Sequence, residues 1–238
     1  MSKSSRRHAA AAELEPSTMR VDDASRILRA ALDAREPSPL QRATASIVER
    51  LRAQGIATQA LAAREPVPDF ALPNRTGRIV ALQEILQRGP ALIAFYLGDW
   101  SPECRAYLRT LGELAADTAA YDAAILAISP QRNVSPHAPN GGAPLDLLFD
   151  ADNRIARLFG LTWQMPLEAA MDYAAHGIDV AALNGTDGWE LPLPATYAVG
   201  PDWLVRDAFV DADLARRPAL ADLRKLLIRL CRESPDAT

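Results

Sequence analysis

Three apolar runs punctuate the middle of the chain: ALIAFYL at 91–97, AAILAIS at 123–129 and LDLLF at 145–149, the last broken only by Asp146. Runs of this length without polar alternation predict strands covered on both faces of a sheet. Helical spacing fills the intervals. Tyr107, Leu108, Leu111 and Leu114 share one face and predict a helix over 103–118. Ile155, Leu158 and Phe159 repeat the pattern, with Asp152 as N-cap and Gly160 as the stop. Upstream, VPDFALP and GRIVAL read as short extended pieces around a turn at Asn74-Arg75-Thr76-Gly77, and a helical segment over 82–88 ends at Gly89-Pro90. Downstream, a helical piece over 167–176 precedes a polar loop, AALNGTDGWELPLP. The segments ATYAVG and LVRDAFV form a hairpin through Gly200-Pro201-Asp202-Trp203, and Leu220, Leu223, Leu227 and Leu230 mark a last helix.

The first 60 residues have a different texture. Residues 1–20 read as a disordered tail. Val21, Ala24, Ile27, Leu28, Ala31 and Leu32 follow helical spacing, and a turn follows at Arg35. Ser38 as N-cap and Pro39 at the first helical position open a second helix, whose Leu40, Ala43, Ile47 and Leu51 share a face before Gly55. Two short amphipathic helices do not stand alone, so this arm packs on the main domain or on a second subunit, and a homodimer is one expectation. The division is a tail at 1–20, a helical arm at 21–60 and one α/β domain at 61–238, with a mixed sheet flanked by helices on both faces.

Composition narrows the function classes. The 238 residues are 49% apolar and 24% charged, with a net charge of −4. This is a soluble globular composition without the concentrated basic face that nucleic acid requires. No segment approaches the roughly 18 apolar residues of a membrane helix. The N-terminus lacks the apolar stretch of a secretory signal, and Glu13 and Glu15 count against a transit peptide. The two cysteines, Cys104 and Cys231, form neither a Cys-x-x-Cys nor a zinc spacing. The expectation is a protein of the reducing cytoplasm with no metal and no cofactor. His8, His137 and His176 are scattered without partners at metal spacing, Asn140-Gly141-Gly142 is a turn rather than a phosphate loop, and DADNR at 150–154 lacks the glycine and distant glutamate of a calcium loop.

The chemistry concentrates in GDWSPEC, residues 98–104, where a buried strand ends and a helix begins. Sites in open α/β sheets gather outside the carboxyl ends of strands. Pro102 suits a first helical turn. Cys104 then sits among free backbone N–H groups at the positive end of the helix, which favours a thiolate. Arg105 supports that anion, whereas Glu103 and Asp99 oppose it. Ser101 is placed either to reach the sulfur or to act as the N-cap. Cys104 also lies on the apolar stripe of its helix, so core filling is the competing reading, and Cys231 reads as core. Trp100 either walls a pocket or packs structurally. Arg206, on a strand, is a candidate electrostatic helper, though alternation turns it toward solvent.

The segment VPDFALPNRTGRIVALQEILQRGPALIAFYLGDWSPECRAYLRTL resembles the opening of the peroxiredoxin-like proteins of the alkyl hydroperoxide reductase/thiol-specific antioxidant (AhpC/TSA) family, in the thioredoxin superfamily. ISPQ at 128–131, LFDADNRIARLFGL and the block NGTDGWELPLPATYAVGPDWLVRDAFVDADLARRP extend the likeness from about residue 65 to about 230. The resemblance implies a thioredoxin-like, peroxiredoxin-type α/β fold. The departures are specific. Ser101 stands where the family usually has the first cysteine of its turn. Ser101-Pro102-Glu103-Cys104 matches the second half of the peroxiredoxin pattern Pro-x-x-x-Thr/Ser-x-x-Cys, but Leu97 occupies its proline position. At the later position where peroxiredoxins supply an arginine stands Pro194, which resembles the cis-proline of thioredoxins.

The resemblance implies a thiol-dependent peroxidase. Cys104 and Ser101 would be catalytic, and Trp100, Pro102, Pro194 and Thr196 would shape the pocket. The substrate would be hydrogen peroxide or an organic hydroperoxide, reduced through a Cys104 sulfenic acid. Cys231 is the candidate resolving thiol within the chain, and thioredoxin or glutathione is the external one. The alternatives are a monothiol disulfide exchanger and a catalytically degenerate thioredoxin-fold binding module.

Overall fold

A computed structural model describes residues 26–30, 37–118, 120–132 and 145–233. The predicted tail, the turn at Arg35, Asn140-Gly141-Gly142, His8 and His137 lie outside the described residues. The first predicted helix is described only at 26–30, where it is helical.

The three apolar runs form the strands they predict. Strands β3 (Ala91–Phe95), β4 (Ala124–Ser129) and β5 (Leu145–Phe149) pair in parallel. The closing hairpin, β8 (Ala195–Val199) and β9 (Val205–Val210), joins antiparallel on the other edge of β3, so the sheet order is β5-β4-β3-β8-β9. Every residue of β3 and of β8 is buried, β3 being apolar throughout and β8 apart from Thr196.

Side-chain alternation divides the faces. Phe95, Tyr197 and Phe159 cluster on one side, with ring centroids 4.9–6.3 Å apart. Ala94 and its cross-strand partner Thr196 face the other side, toward helix α3 (Pro102–Asp117). Helix α7 (Leu220–Glu233) lies along α3, buries Leu223, Leu227 and Leu230, and pairs Arg224 with Asp117. A small hairpin, β1 (Ala71–Pro73) with β2 (Ile79–Ala81), leads into the short helix α2 (Leu82–Leu86).

The arm helix α1 (Pro39–Ala53) starts as the sequence predicts. Ser38 Oγ accepts the Gln41 N–H while Gln41 Oε1 accepts the Ser38 N–H, a reciprocal cap that satisfies two otherwise orphan donors. Its buried residues are Leu40, Ala43, Ile47 and Leu51. They pack on this chain's own helix α5 (Leu167–Ala175), where Thr44 and the Tyr173 hydroxyl share a 2.9 Å hydrogen bond.

Two local expectations need correction. Asp152 does not cap helix α4 (Arg154–Leu158), because its own φ is +56°. Asp150 caps instead, accepting the N–H groups of Ile155 and Ala156 at 2.9–3.0 Å. The polar stretch after 176 is also not all loop. Asp179 caps helix α6 (Val180–Asn184), Gly185 at φ +68° ends it, and strand β7 (Glu190–Pro192) pairs with β6 (Thr162–Gln164).

Candidate functional site

Leaving β3, the backbone turns through Gly98, whose φ is +153°. A Cβ at that position would stand 2.3 Å from the Trp100 indole nitrogen and 2.5 Å from Gln131 Oε1, so a glycine is required. Asp99 is fully buried and is matched by the Gln131 amide. Its own N–H donates to Gln131 Oε1 at 2.7 Å, and Gln131 Nε2 donates to Asp99 Oδ1 at 2.6 Å. Gln131 follows β4, so this pair ties the ends of two neighbouring strands together. Arg105 Nε donates to the Asp99 carbonyl at 3.0 Å.

Ser101 is the N-cap of α3, with Pro102 buried in the first turn. Of its two sequence-level roles the structure shows the cap: Ser101 Oγ accepts the Cys104 N–H at 3.3 Å. Its proton goes to Glu103 Oε2, 2.8 Å away. Cys104 is completely buried. Among the described residues, Arg217 Nη2 donates to its Sγ at 3.4 Å. A guanidinium there complements the charge that a thiolate carries.

Arg217 is itself held firmly. Its Nη1 donates to the carbonyls of Leu214 and Arg216 at 2.8 Å, and its guanidinium carbon stands 5.5 Å from the centre of the Tyr107 ring. The Tyr107 hydroxyl bonds Thr196 Oγ1 at 2.7 Å. Thr196, Tyr107, Arg217 and Cys104 therefore form one connected row from the sheet to the sulfur. Burial pushes the Tyr107 phenol up to about 12, so the ring that carries the cation stays neutral. Tyr96 sits close to both Asp99 and Cys104, and burial together with those neighbours raises it further.

Arg217 lines an open depression of about 410 Å³, shared with Pro102, Tyr107 and Leu220, and approaches the sulfur from that side. Around Arg217, Arg216 pairs with Asp211 at 2.7 Å, while Asp213 accepts the Ala215 N–H at 3.1 Å and pairs with Arg52 of α1 at 3.1 Å.

Cys104, Ser101, Pro102 and Trp100 thus stand together, and Thr196 joins them through Tyr107. Trp100 is buried edge-on to Tyr173, with ring centroids 6.2 Å apart. Two expectations are corrected, those for Pro194 and Cys231, while Arg206 points to solvent as alternation predicts. Pro194 is buried, but no cis peptide bond is present among the described residues, so it lacks the thioredoxin-like conformation. Arg206 is exposed and pairs with Asp202 at 2.8 Å, since alternation along β9 turns it outward. Cys231 lies near Asp122, beyond the far end of α3. From Cys104 to Asp117 that helix rises about 20 Å, against the roughly 6 Å between Cα atoms of a disulfide. Cys231 therefore does not reach Cys104 in this fold.

Sequence reasoning missed Arg217, Tyr107, Tyr96 and Gln131. The one local signal for Arg217 is the pair Arg216-Arg217 set just before Pro218, outside any regular element. Among the described residues no group of three or more histidines, cysteines or carboxylates gathers at metal-binding range, and no helix is long and apolar enough to cross a membrane.

A model of the AhpC/TSA family matches residues 63–208. No curated protein matches the chain in sequence. Among solved structures, peroxidoxin BcpB of Mycobacterium tuberculosis is similar at 24% identity and a TM-score of 0.53, covering 73% of this chain and 98% of its own. A Cys-to-Ser mutant of peroxiredoxin 6 of Arenicola marina is similar at 14% identity and 0.55, covering 73% and 76%. A yeast mitochondrial 1-Cys peroxiredoxin, described as resolved through the glutathione and thioredoxin systems, gives 11% and 0.51, covering 71% and 75%. These likenesses establish a thioredoxin-like, peroxiredoxin-type fold.

Proposed function

Because the chain belongs to the AhpC/TSA family, and because one arginine is aimed at its one helix-start cysteine, we propose that it is a thiol peroxidase acting through Cys104 alone. The observation that carries this reading is the 3.4 Å contact from Arg217 to the sulfur. The Cys104 thiolate attacks the terminal oxygen of a hydroperoxide. An S–O bond forms, the O–O bond breaks, and the alkoxide or hydroxide leaves and takes a proton from water. Arg217 and the N–H groups of the first turn of α3 stabilise the charge moving between sulfur and oxygen. A second thiol condenses with the sulfenic acid, forming a mixed disulfide and releasing water, and a further thiol frees Cys104. Since Cys231 is out of reach, both thiols come from outside, with glutathione or thioredoxin as the reductant. Two free thiols so far apart fit a reducing compartment such as the cytoplasm.

The complete burial of Cys104 favours a second reading, a fold kept for binding rather than redox chemistry. Stopped-flow mixing with hydrogen peroxide separates the two. The peroxidase shows a second-order reaction abolished by Cys104→Ser, with sulfenic acid on Cys104 detected by mass spectrometry. A peroxide reaction no faster than that of a free cysteine would rule out the peroxidase, and reduction of a mixed disulfide by Cys104 would then separate a monothiol disulfide exchanger from a binding module.

A further inference from the structure

A depression of about 300 Å³ opens at the carboxyl ends of β4 and β5. Ligands of open α/β sheets gather at this edge. Pro73 and residues 147–149 of β5 contribute its apolar lining, and Asn74, Arg75, Gln131 and Arg132 its polar groups. Among the described residues no carboxylate lines it. Residues 133–144, which follow Arg132 in the chain, contain none either.

Both arginines are placed by fixed backbone. Arg75 sits in the β1–β2 turn, which Asn74 organises. Asn74 Oδ1 accepts the N–H groups of Thr76 and Arg78 at 3.1 Å and the Thr76 hydroxyl at 2.8 Å, while Nδ2 donates to Asp146 at 3.0 Å. Arg132 donates its N–H to the Leu183 carbonyl at 3.3 Å. Its side chain crosses Gly185, where a Cβ would stand 2.8 Å from Nε. The neighbouring acids are engaged elsewhere. Asp146 pairs with Arg78 at 3.2 Å, Asp150 accepts the N–H groups of Ile155 and Ala156, and Asp99 accepts Gln131 Nε2. The lining therefore carries two positive charges and no negative one among the described residues.

Guanidinium forks match the paired oxygens of carboxylate and phosphate groups. A space of this size stands at the lower end of small-molecule sites, so it holds a small organic anion. We propose that Arg75 and Arg132 form a binding site for a small dianion, either a phosphate monoester or a dicarboxylate, whether or not Cys104 reacts with peroxide. Gln131 lines this site and also ties Asp99 into the turn that precedes Cys104. An occupant thus rests against the support of the sulfur-bearing turn.

The test is isothermal titration calorimetry on the full chain, with inorganic phosphate and malonate as probes at matched ionic strength. At least one binds with 1:1 stoichiometry, and the tighter of the two names the ligand's acidic group. Arg75→Gln and Arg132→Gln each weaken that binding about tenfold or more, the loss expected of a charge-assisted contact. Arg206→Gln, an exposed arginine on β9, leaves it within twofold. Both site arginines are exposed, so the variants keep the fold, which far-UV circular dichroism checks. The site is overturned if neither probe binds more tightly than chloride, or if affinity in both site variants stays within twofold of wild type. An equal loss in Arg206→Gln would overturn it too, by showing general attraction to positive charge.

Discussion

Gly98 and Arg217 show how differently single residues bear on the site. Gly98 acts through backbone geometry, because any side chain there strikes Trp100 and Gln131. Gly98→Ala is expected to cost more than about 1 kcal/mol and to lower the thermal midpoint by several degrees, as calorimetry can read. Arg217 acts through charge. Arg217→Leu is expected to slow the peroxide reaction of Cys104 about a hundredfold, with Arg217→Lys restoring only part, since lysine cannot span the sulfur and two carbonyls together. Stopped-flow rates for the two variants check both statements, and equal rates for leucine and wild type would remove the arginine from the chemistry. The placement of Cys104 and Ser101 was legible in the sequence because it is local: a strand end, a serine cap and a proline fall within one turn. Arg217 was not, because it sits in an irregular segment distant along the chain, where no periodicity constrains it.

At the scale of elements, legibility followed length. Helices α1, α3 and α7 each run for several turns, long enough to show an apolar stripe, and β3, β4 and β5 are runs dominated by apolar residues. Helix α6 has five residues, and β6 and β7 have three each, too few for any period to emerge. Their capping residues, Asp179 and Gly185, were the available clue. The cap of α4 was misplaced by two residues because acidic residues alternate in DADNR, and only the backbone angles distinguish Asp150 from Asp152. The docking of α1 depends on its buried stripe, so Ile47→Ala is expected to cost about 2–4 kcal/mol in denaturant unfolding. A cost near zero would mean that the arm is not part of the cooperative structure.

Across the whole molecule, the two thiols sit at opposite ends of α3. After treatment with one equivalent of peroxide, non-reducing peptide mapping is expected to find no Cys104–Cys231 bridge within a single chain. Finding one would require α7 to leave its place. Cys231 is shifted upward by burial, with Asp122 adding to it. The raised value means that the neutral thiol is favoured in the folded state. Its contribution is therefore present at neutral pH and is lost as alkaline pH climbs through the folded value. Alkylation of Cys231 by iodoacetamide should show a midpoint above that of a free cysteine, and Asp122→Asn should lower it.

The contact between Arg52 and Asp213 joins two flanks of the chain, both beyond the span shared with the family. Trimmed to that span, the molecule would keep the Cys104 sulfur but lose the Arg217 guanidinium beside it. A graft of residues 63–208 into a relative would therefore carry an unassisted thiol. The reverse exchange, which lends the flanks to a foreign core, would move that charge without moving a sulfur. Three stretches of sequence thus assemble one centre, and the portion held in common with other proteins supplies its least distinctive part.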